Sequence, residues 1–171
     1  MKPINVGLLG IGVVGGGTWE VLNRNADEIR RRAGRAIRIT HVADKDVVKA
    51  EKLIGKRAKI LSDAFALVRG KDVEIVVELI GGTTVAKDLV LEAIGHGKHV
   101  VTANKALLAT HGNEIFTAAQ KKGVMVAFEA SVGGGIPIIK ALREGLAANR
   151  IEWIAGIING TSNFILSEMT D

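Results

Sequence analysis

Three groups of residues in this chain have the types and spacing to do chemistry. The first is Gly10-Ile11-Gly12-Val13-Val14-Gly15, a GxGxxG run directly behind the apolar stretch Val6 to Leu9. Strand, glycine turn and helix in this order serve to hold a pyrophosphate. Gly10 permits the tight turn, Gly12 lets backbone approach the phosphates, and Gly15 lets the helix lie close on the strand. The helix start then offers free N–H groups to the anion. The second group is Asp44, with Lys45, Asp46 and Lys49 close behind. A carboxylate at the end of a second strand accepts hydrogen bonds from the adenosine ribose, whereas neighbouring cations welcome the extra phosphate that separates NADP from NAD. The residues leave that choice open. The third is Thr102, Asn104 and Lys105 at the end of a later strand. There a lysine can steady the oxygen charge that develops during hydride transfer, or simply lie on the surface. Gly81 and Gly82 follow another strand, either against a cofactor or as a tight turn capped by Thr83 or Thr84.

These residues need a scaffold, and apolar runs alternating with amphipathic stretches supply one. Strands are expected at residues 4–9, 37–43, 75–78, 99–102 and 124–128, with helices at 18–32, 47–54, 64–69, 85–96 and 113–122. The alternation predicts an α/β fold, a Rossmann-like doubly wound parallel sheet. Its character changes at Ser131-Val132-Gly133-Gly134-Gly135-Ile136-Pro137, read as a hinge, after which a helix at 137–146, a strand at 151–158 and a helix at 164–169 are expected. Residues 1–130 form the dinucleotide-binding domain on this reading. Residues 131–171 begin a second α/β domain and are too few to complete it.

Composition narrows the function classes. With 171 residues and 47% hydrophobic content, the chain can bury one core. It has no cysteine, which excludes disulfides, thiolate metal ligands and a cysteine nucleophile. Charged residues interrupt every apolar run, so no membrane span is expected. A strand starting right after Met1-Lys2-Pro3 leaves no room for a secretory leader, which makes the cytoplasm the expected compartment. The net charge of +5 is concentrated at Arg30-Arg31-Arg32, Arg35 and Arg38, but aromatics are only 4% of residues. A nucleic-acid platform is therefore not expected, and the arginines suit a helix end.

Three longer blocks carry a resemblance. Ala103-Asn104-Lys105-Ala106-Leu107-Leu108-Ala109, Phe128-Glu129-Ala130-Ser131-Val132-Gly133-Gly134-Gly135-Ile136-Pro137-Ile138-Ile139 and Gly156-Ile157-Ile158-Asn159-Gly160-Thr161-Ser162-Asn163-Phe164-Ile165-Leu166 resemble successive blocks of homoserine dehydrogenase. The resemblance runs from Val6 onward. It implies NAD- or NADP-dependent interconversion of L-homoserine and L-aspartate 4-semialdehyde, on the route to threonine and methionine.

Under it, Gly10, Gly12, Val13, Val14 and Gly15 match the cofactor loop, with Val13 standing where threonine is frequent. Lys105 matches a lysine near nicotinamide and substrate, and Gly160 and Thr161 match the substrate-side loop. Glu129 with the backbone of Val132, Gly134 and Ile136 matches a monovalent cation site, sodium being the ion expected. The resemblance further implies a homo-oligomer formed through the second domain. It also implies a later block with acidic substrate ligands and a second lysine, not found in these residues, so that the chain alone is expected to bind cofactor and be deficient in turnover. Two other readings stand beside it: a dehydrogenase of the sugar and inositol oxidoreductase type, and a non-enzymatic dinucleotide-binding module.

Overall fold

The computed structural model describes residues 1–156, 163 and 166–170. Six strands form one parallel sheet: β1 (Ile4–Leu9), β2 (Ile37–Ala43), β3 (Lys59–Leu61), β4 (Ile75–Glu78), β5 (His99–Thr102) and β6 (Val126–Ala127). Their order is β3-β2-β1-β4-β5-β6, the doubly wound arrangement in which the chain leaves β1 toward one edge and returns toward the other. Parallel pairing needs long crossovers, and the helices that make them are α1 (Val13–Arg24), α2 (Ala26–Ala33), α3 (Val47–Ile54), α4 (Ala64–Arg69), α5 (Val85–Gly95) and α6 (Lys105–Lys122).

Both faces of the sheet are buried, which is why its strands read as continuous apolar runs. One face, with Val6, Leu8, Val42 and Val77, packs under Trp19 of α1 and Ala50 and Ile54 of α3. The other, with Leu9, Val76 and Val100, packs under Leu67 and Val68 of α4, Leu89 and Val90 of α5, and Leu107 and Ile115 of α6. Each such fully buried branched side chain contributes about 1.5–3 kcal/mol. A Cβ on Gly7 would meet the end of the Leu67 side chain, which would have to shift to make room.

Several boundaries differ from the sequence expectations. The first helix begins at Val13 rather than at Thr18 and is interrupted at Asn25, where α2 starts afresh. No residue of α2 is buried, so nothing in the core keeps the two segments collinear. Glu28 instead pairs with Arg31 and Arg32, and Arg35 donates to the Lys2 carbonyl, which accounts for much of the basic cluster. Strand β3 was not expected. The last helix of the unit begins at Lys105, two turns ahead of expectation, because the Asn104 side chain caps it by accepting from the Leu107 N–H. Strand β6 is only two residues long. After the hinge, the expected helix is one α-turn, α7 (Ile138–Lys140), widening into a π-turn at Ala141–Gly145. Residues 151–156 carry no strand, and the rest of that expected strand lies outside the described residues. Among the described residues, no helix is long and apolar enough to cross a membrane.

Candidate functional site

Register aligns the carboxyl ends of the four central strands. Ala43 pairs with Leu9, Leu9 with Glu78, and Glu78 with Thr102. The residues that follow them, Asp44, Gly10, Leu79 and Ala103, therefore stand side by side on one rim. Between β1 and β4 the winding reverses, and a crevice opens there.

The glycine turn forms the floor. Gly10 has φ +91°, and a Cβ on it would stand 2.9 Å from the Leu79 carbonyl oxygen, so both conformation and space demand glycine. A Cβ on Gly15 would stand 2.0 Å from the Gly10 carbonyl oxygen, which seats α1 directly on the turn. A Cβ on Gly12 would meet nothing within 4 Å. Gly12 is also the N-cap of α1 and has no side chain to satisfy the helix start. The first intrahelical bond is Gly16 N–H to the Gly12 carbonyl, so the N–H groups ahead of it have no acceptor within the helix. Beside them Val13 and Val14 are 94% and 59% exposed, and Ile80 and Val85 across the crevice are 40% and 51% exposed. Apolar side chains left bare around free N–H groups make a surface suited to a ligand.

Asp44 closes one end. It is half-buried, its Oδ2 accepts from Ile11 N–H at 2.6 Å, and its Oδ1 accepts from Asp46 N–H at 2.8 Å. The carboxylate thus ties the end of β2 to the glycine turn and keeps lone pairs for a further donor. Lys45 beside it and Lys49 in the first turn of α3 are exposed.

The other end is a network that the sequence did not reveal. Glu78 is fully buried. Its Oε2 accepts from Thr102 Oγ1 at 2.6 Å, and its Oε1 accepts from the N–H groups of Ile80 and Gly81 at 3.0 and 3.1 Å. Thr102 Oγ1 accepts in turn from Asn104 N–H, and Asn104 Nδ2 donates to the Gly82 carbonyl at 2.7 Å. Thr102 and Asn104, singled out as crevice residues, therefore spend these groups on the protein itself. Gly81 and Gly82 both have φ +74° with nothing within 4 Å of a Cβ. Thr84 takes the N-cap position of α5 without a side-chain bond. Lys105 is the first residue of α6 and is exposed.

Glu129 follows the carboxyl end of β6, in the turn Glu129–Ser131 ahead of the hinge. Its two oxygens accept from the N–H groups of Ile139 and Lys140 at 2.9 and 2.8 Å, binding the hinge to the start of α7. Gly133, Gly134 and Gly135 all have positive φ and fold the intervening segment back on itself. Val132, Gly134 and Ile136 are exposed, and the Ile136 carbonyl accepts from Ile138 N–H. Gly160 and Thr161 lie outside the described residues. A cavity of about 660 Å³ sits along the β6 edge, lined by Phe116, Phe128 and Arg143 among others. Its histidine, His99, already accepts from Met125 N–H through Nδ1, and the glycine turn does not line it.

Comparison with known proteins shows the family and the fold. Residues 10–129 match the family model described as homoserine dehydrogenase, NAD binding domain, and residues 137–171 match the model described as homoserine dehydrogenase. The homoserine dehydrogenases of Neisseria gonorrhoeae and Pseudomonas aeruginosa are 63% and 60% identical over all 171 residues. The chain spans 39% of the length of each of these relatives. A crystal structure of a homoserine dehydrogenase from Thiobacillus denitrificans superposes with a TM-score of 0.92 at 66% identity, covering 99% of this chain and 39% of that one. A hyperthermophilic archaeal homoserine dehydrogenase in complex with NADPH superposes with a TM-score of 0.82 at 25% identity, covering 98% of this chain and 56% of that one.

Proposed function

The chain belongs to the homoserine dehydrogenase family, and from that premise we propose that its rim crevice binds NAD or NADP for the reversible oxidation of L-homoserine to L-aspartate 4-semialdehyde, a step toward threonine and methionine. The observation that carries the proposal is the uncapped start of α1 at Gly12, set on a turn that only glycine can make and facing open space at the reversal of the sheet. When bound, the cofactor accepts or gives the hydride; everything else falls to the protein.

On this reading the N–H groups at Gly12, Val13, Val14 and Gly15 take the pyrophosphate. Asp44 takes the adenosine ribose. Its fixed carboxylate favours the unphosphorylated ribose of NAD, while Lys45 offers charge to the phosphate of NADP. The archaeal relative binds NADPH, which keeps both nucleotides within reach of the family. Gly81 and the loop after it face the nicotinamide half, with Thr102 and Asn104 behind them. Lys105 donates to the substrate oxygen, orienting it and stabilising the negative charge that grows there when hydride moves. Gly160 and Thr161 belong to the substrate side of the same site, and the enzyme acts as a homo-oligomer.

The hinge supplies a second ligand set. Glu129 with the carbonyl oxygens of Val132, Gly134 and Ile136 is an all-oxygen group with one negative charge, chemistry that suits a hard monovalent cation such as sodium. The carboxylate already accepts two N–H bonds, which leaves each oxygen a lone pair for the ion.

Backbone amide shifts of the isotopically labelled chain test the nucleotide reading. Added NADH or NADPH is expected to move the resonances of Gly10 to Gly15, Asp44, Gly81 and Gly82 together. Shifts confined to the arginine-rich surface of α2 would overturn it.

A further inference from the structure

We propose that Glu78 is a positioning residue: its buried carboxylate fixes the Gly81 and Gly82 loop against the start of α6, and so sets how the nicotinamide half of the crevice meets Lys105. The proposal rests on the dinucleotide reading given above.

A glutamate is almost never left fully buried unless it is paired. Among the described residues this one meets no cation; its partners are a hydroxyl and two backbone N–H groups. The N–H groups can only donate. Thr102 Oγ1 accepts from Asn104 N–H and donates its own proton to Glu78. All three partners donate, which matches the acceptor oxygens of a carboxyl group.

These bonds grip one segment from both sides. Glu78 holds the N–H groups of Ile80 and Gly81, and Asn104 holds the Gly82 carbonyl while capping α6 through Leu107 N–H. Two consecutive residues at φ +74° have wide conformational freedom when unrestrained, because both are glycine. Here they are bolted to β4, β5 and α6 at their back. Their front is bare, since a Cβ on either would meet nothing within 4 Å. A backbone anchored behind and open in front can present its amides to a flat ring at a fixed distance, and small losses of such placement are costly. Lys105 follows Asn104 directly, so the loop and the lysine are referenced to the same clamp.

The test compares NADH with ADP-ribose, which keeps the adenosine and pyrophosphate but lacks nicotinamide; 2′-phospho-ADP-ribose replaces it if NADPH is the preferred nucleotide. Calorimetric titrations are run on the chain with Glu78→Gln, Thr102→Val and Thr102→Ser, after each is shown folded by circular dichroism. The valine keeps the volume of Thr102 and removes its hydroxyl; the serine does the reverse. Glu78→Gln and Thr102→Val are expected to weaken NADH about 5- to 20-fold and ADP-ribose less than about twofold, with Thr102→Ser close to the unaltered chain. Equal weakening of both ligands, or loss in the serine variant and retention in the valine variant, would make the network mere packing and overturn the proposal. Should Glu78→Gln fail to fold, the valine and serine pair decides alone. An unaltered chain that binds neither ligand removes the underlying dinucleotide reading as well, and is told apart from failure of the clamp by that control.

Discussion

A single methyl group added at three glycines of the first turn and helix should have three different effects. At Gly15 the new Cβ would stand 2.0 Å from the Gly10 carbonyl oxygen, against an ordinary contact of about 3.4 Å, so α1 must retreat by about 1.4 Å. Alanine gains about 1 kcal/mol of helix propensity, but overpacking of this size costs about 1–3 kcal/mol or more, and here the obstacle is backbone, which cannot rotate away. A net loss of about 2 kcal/mol lowers the melting temperature by about 4–8 °C in a domain of this size. At Gly12 the new Cβ would meet nothing within 4 Å. The cost of alanine at an N-cap and the gain from a stiffer unfolded chain nearly cancel, so Gly12→Ala should melt within about 2 °C of the unaltered chain. It should nevertheless lose nucleotide affinity about 10- to 100-fold, the cost of about 1.5–3 kcal/mol when a charge-assisted bond to the pyrophosphate is displaced. Gly17→Ala, in open space within α1, should gain about 0.5–1 kcal/mol and bind normally. Thermal melting and ADP-ribose titration read all three. A Gly12→Ala chain that binds as tightly as the original, or a Gly15→Ala chain that is as stable, would refute the reasoning about this turn.

Other outcomes follow from buried polar groups. Burial, with Lys59 and Lys98 nearby, lowers the His41 pKa from the ordinary imidazole value, only partly opposed by Asp72. Between the folded and unfolded values the unfolded chain binds more protons, so stability is full above pH 6.5 and declines as pH falls through the folded value; His41→Gln should flatten that decline in melts taken from pH 7.5 to 5, and an unchanged slope would acquit His41. Lys98, 5% exposed, donates to the carbonyls of Gly70 and Val73; Lys98→Met should cost about 2 kcal/mol in urea unfolding by leaving the buried Val73 carbonyl unpaired, and a neutral result would mean that water replaces the ammonium. Sodium chloride should raise the melting temperature above choline chloride at equal ionic strength, and Glu129→Gln should abolish the difference; an identical sodium response in the variant would remove Glu129 from the cation set.

Much of the sheet was legible because its strands are short apolar runs bounded by turn residues, and four of them, at 4–9, 37–43, 75–78 and 99–102, match the expected boundaries. Strand β3 was not, because Lys59-Ile60-Leu61 is too short to show a period and is held by pairing with β2. The start of α1 was read as turn because Val13-Val14-Gly15-Gly16-Gly17 has poor helix propensity; packing on the turn overrides it. The opening of α6 did carry a signal, Asn104 ahead of a leucine-rich run, yet the sequence reading starts the helix only at 113. Of the crevice itself, the glycine turn and Asp44 were visible as local spacing. Glu78 was not, since a polar residue at a strand end ordinarily meets water. Its role appears only when the β4–β5 register sets it beside Thr102, a contact across 24 positions of sequence.

The central claim is that these residues by themselves form a dinucleotide site. Parallel calorimetric titrations with NADH and NADPH at one ionic strength test it most directly. Saturable binding of one nucleotide per chain is expected, weakened about 10- to 100-fold on Gly12→Ala, with the preferred form reporting whether Asp44 or its neighbouring lysines govern the ribose end. Heats of dilution alone for both nucleotides, from a chain shown to be folded, would contradict it.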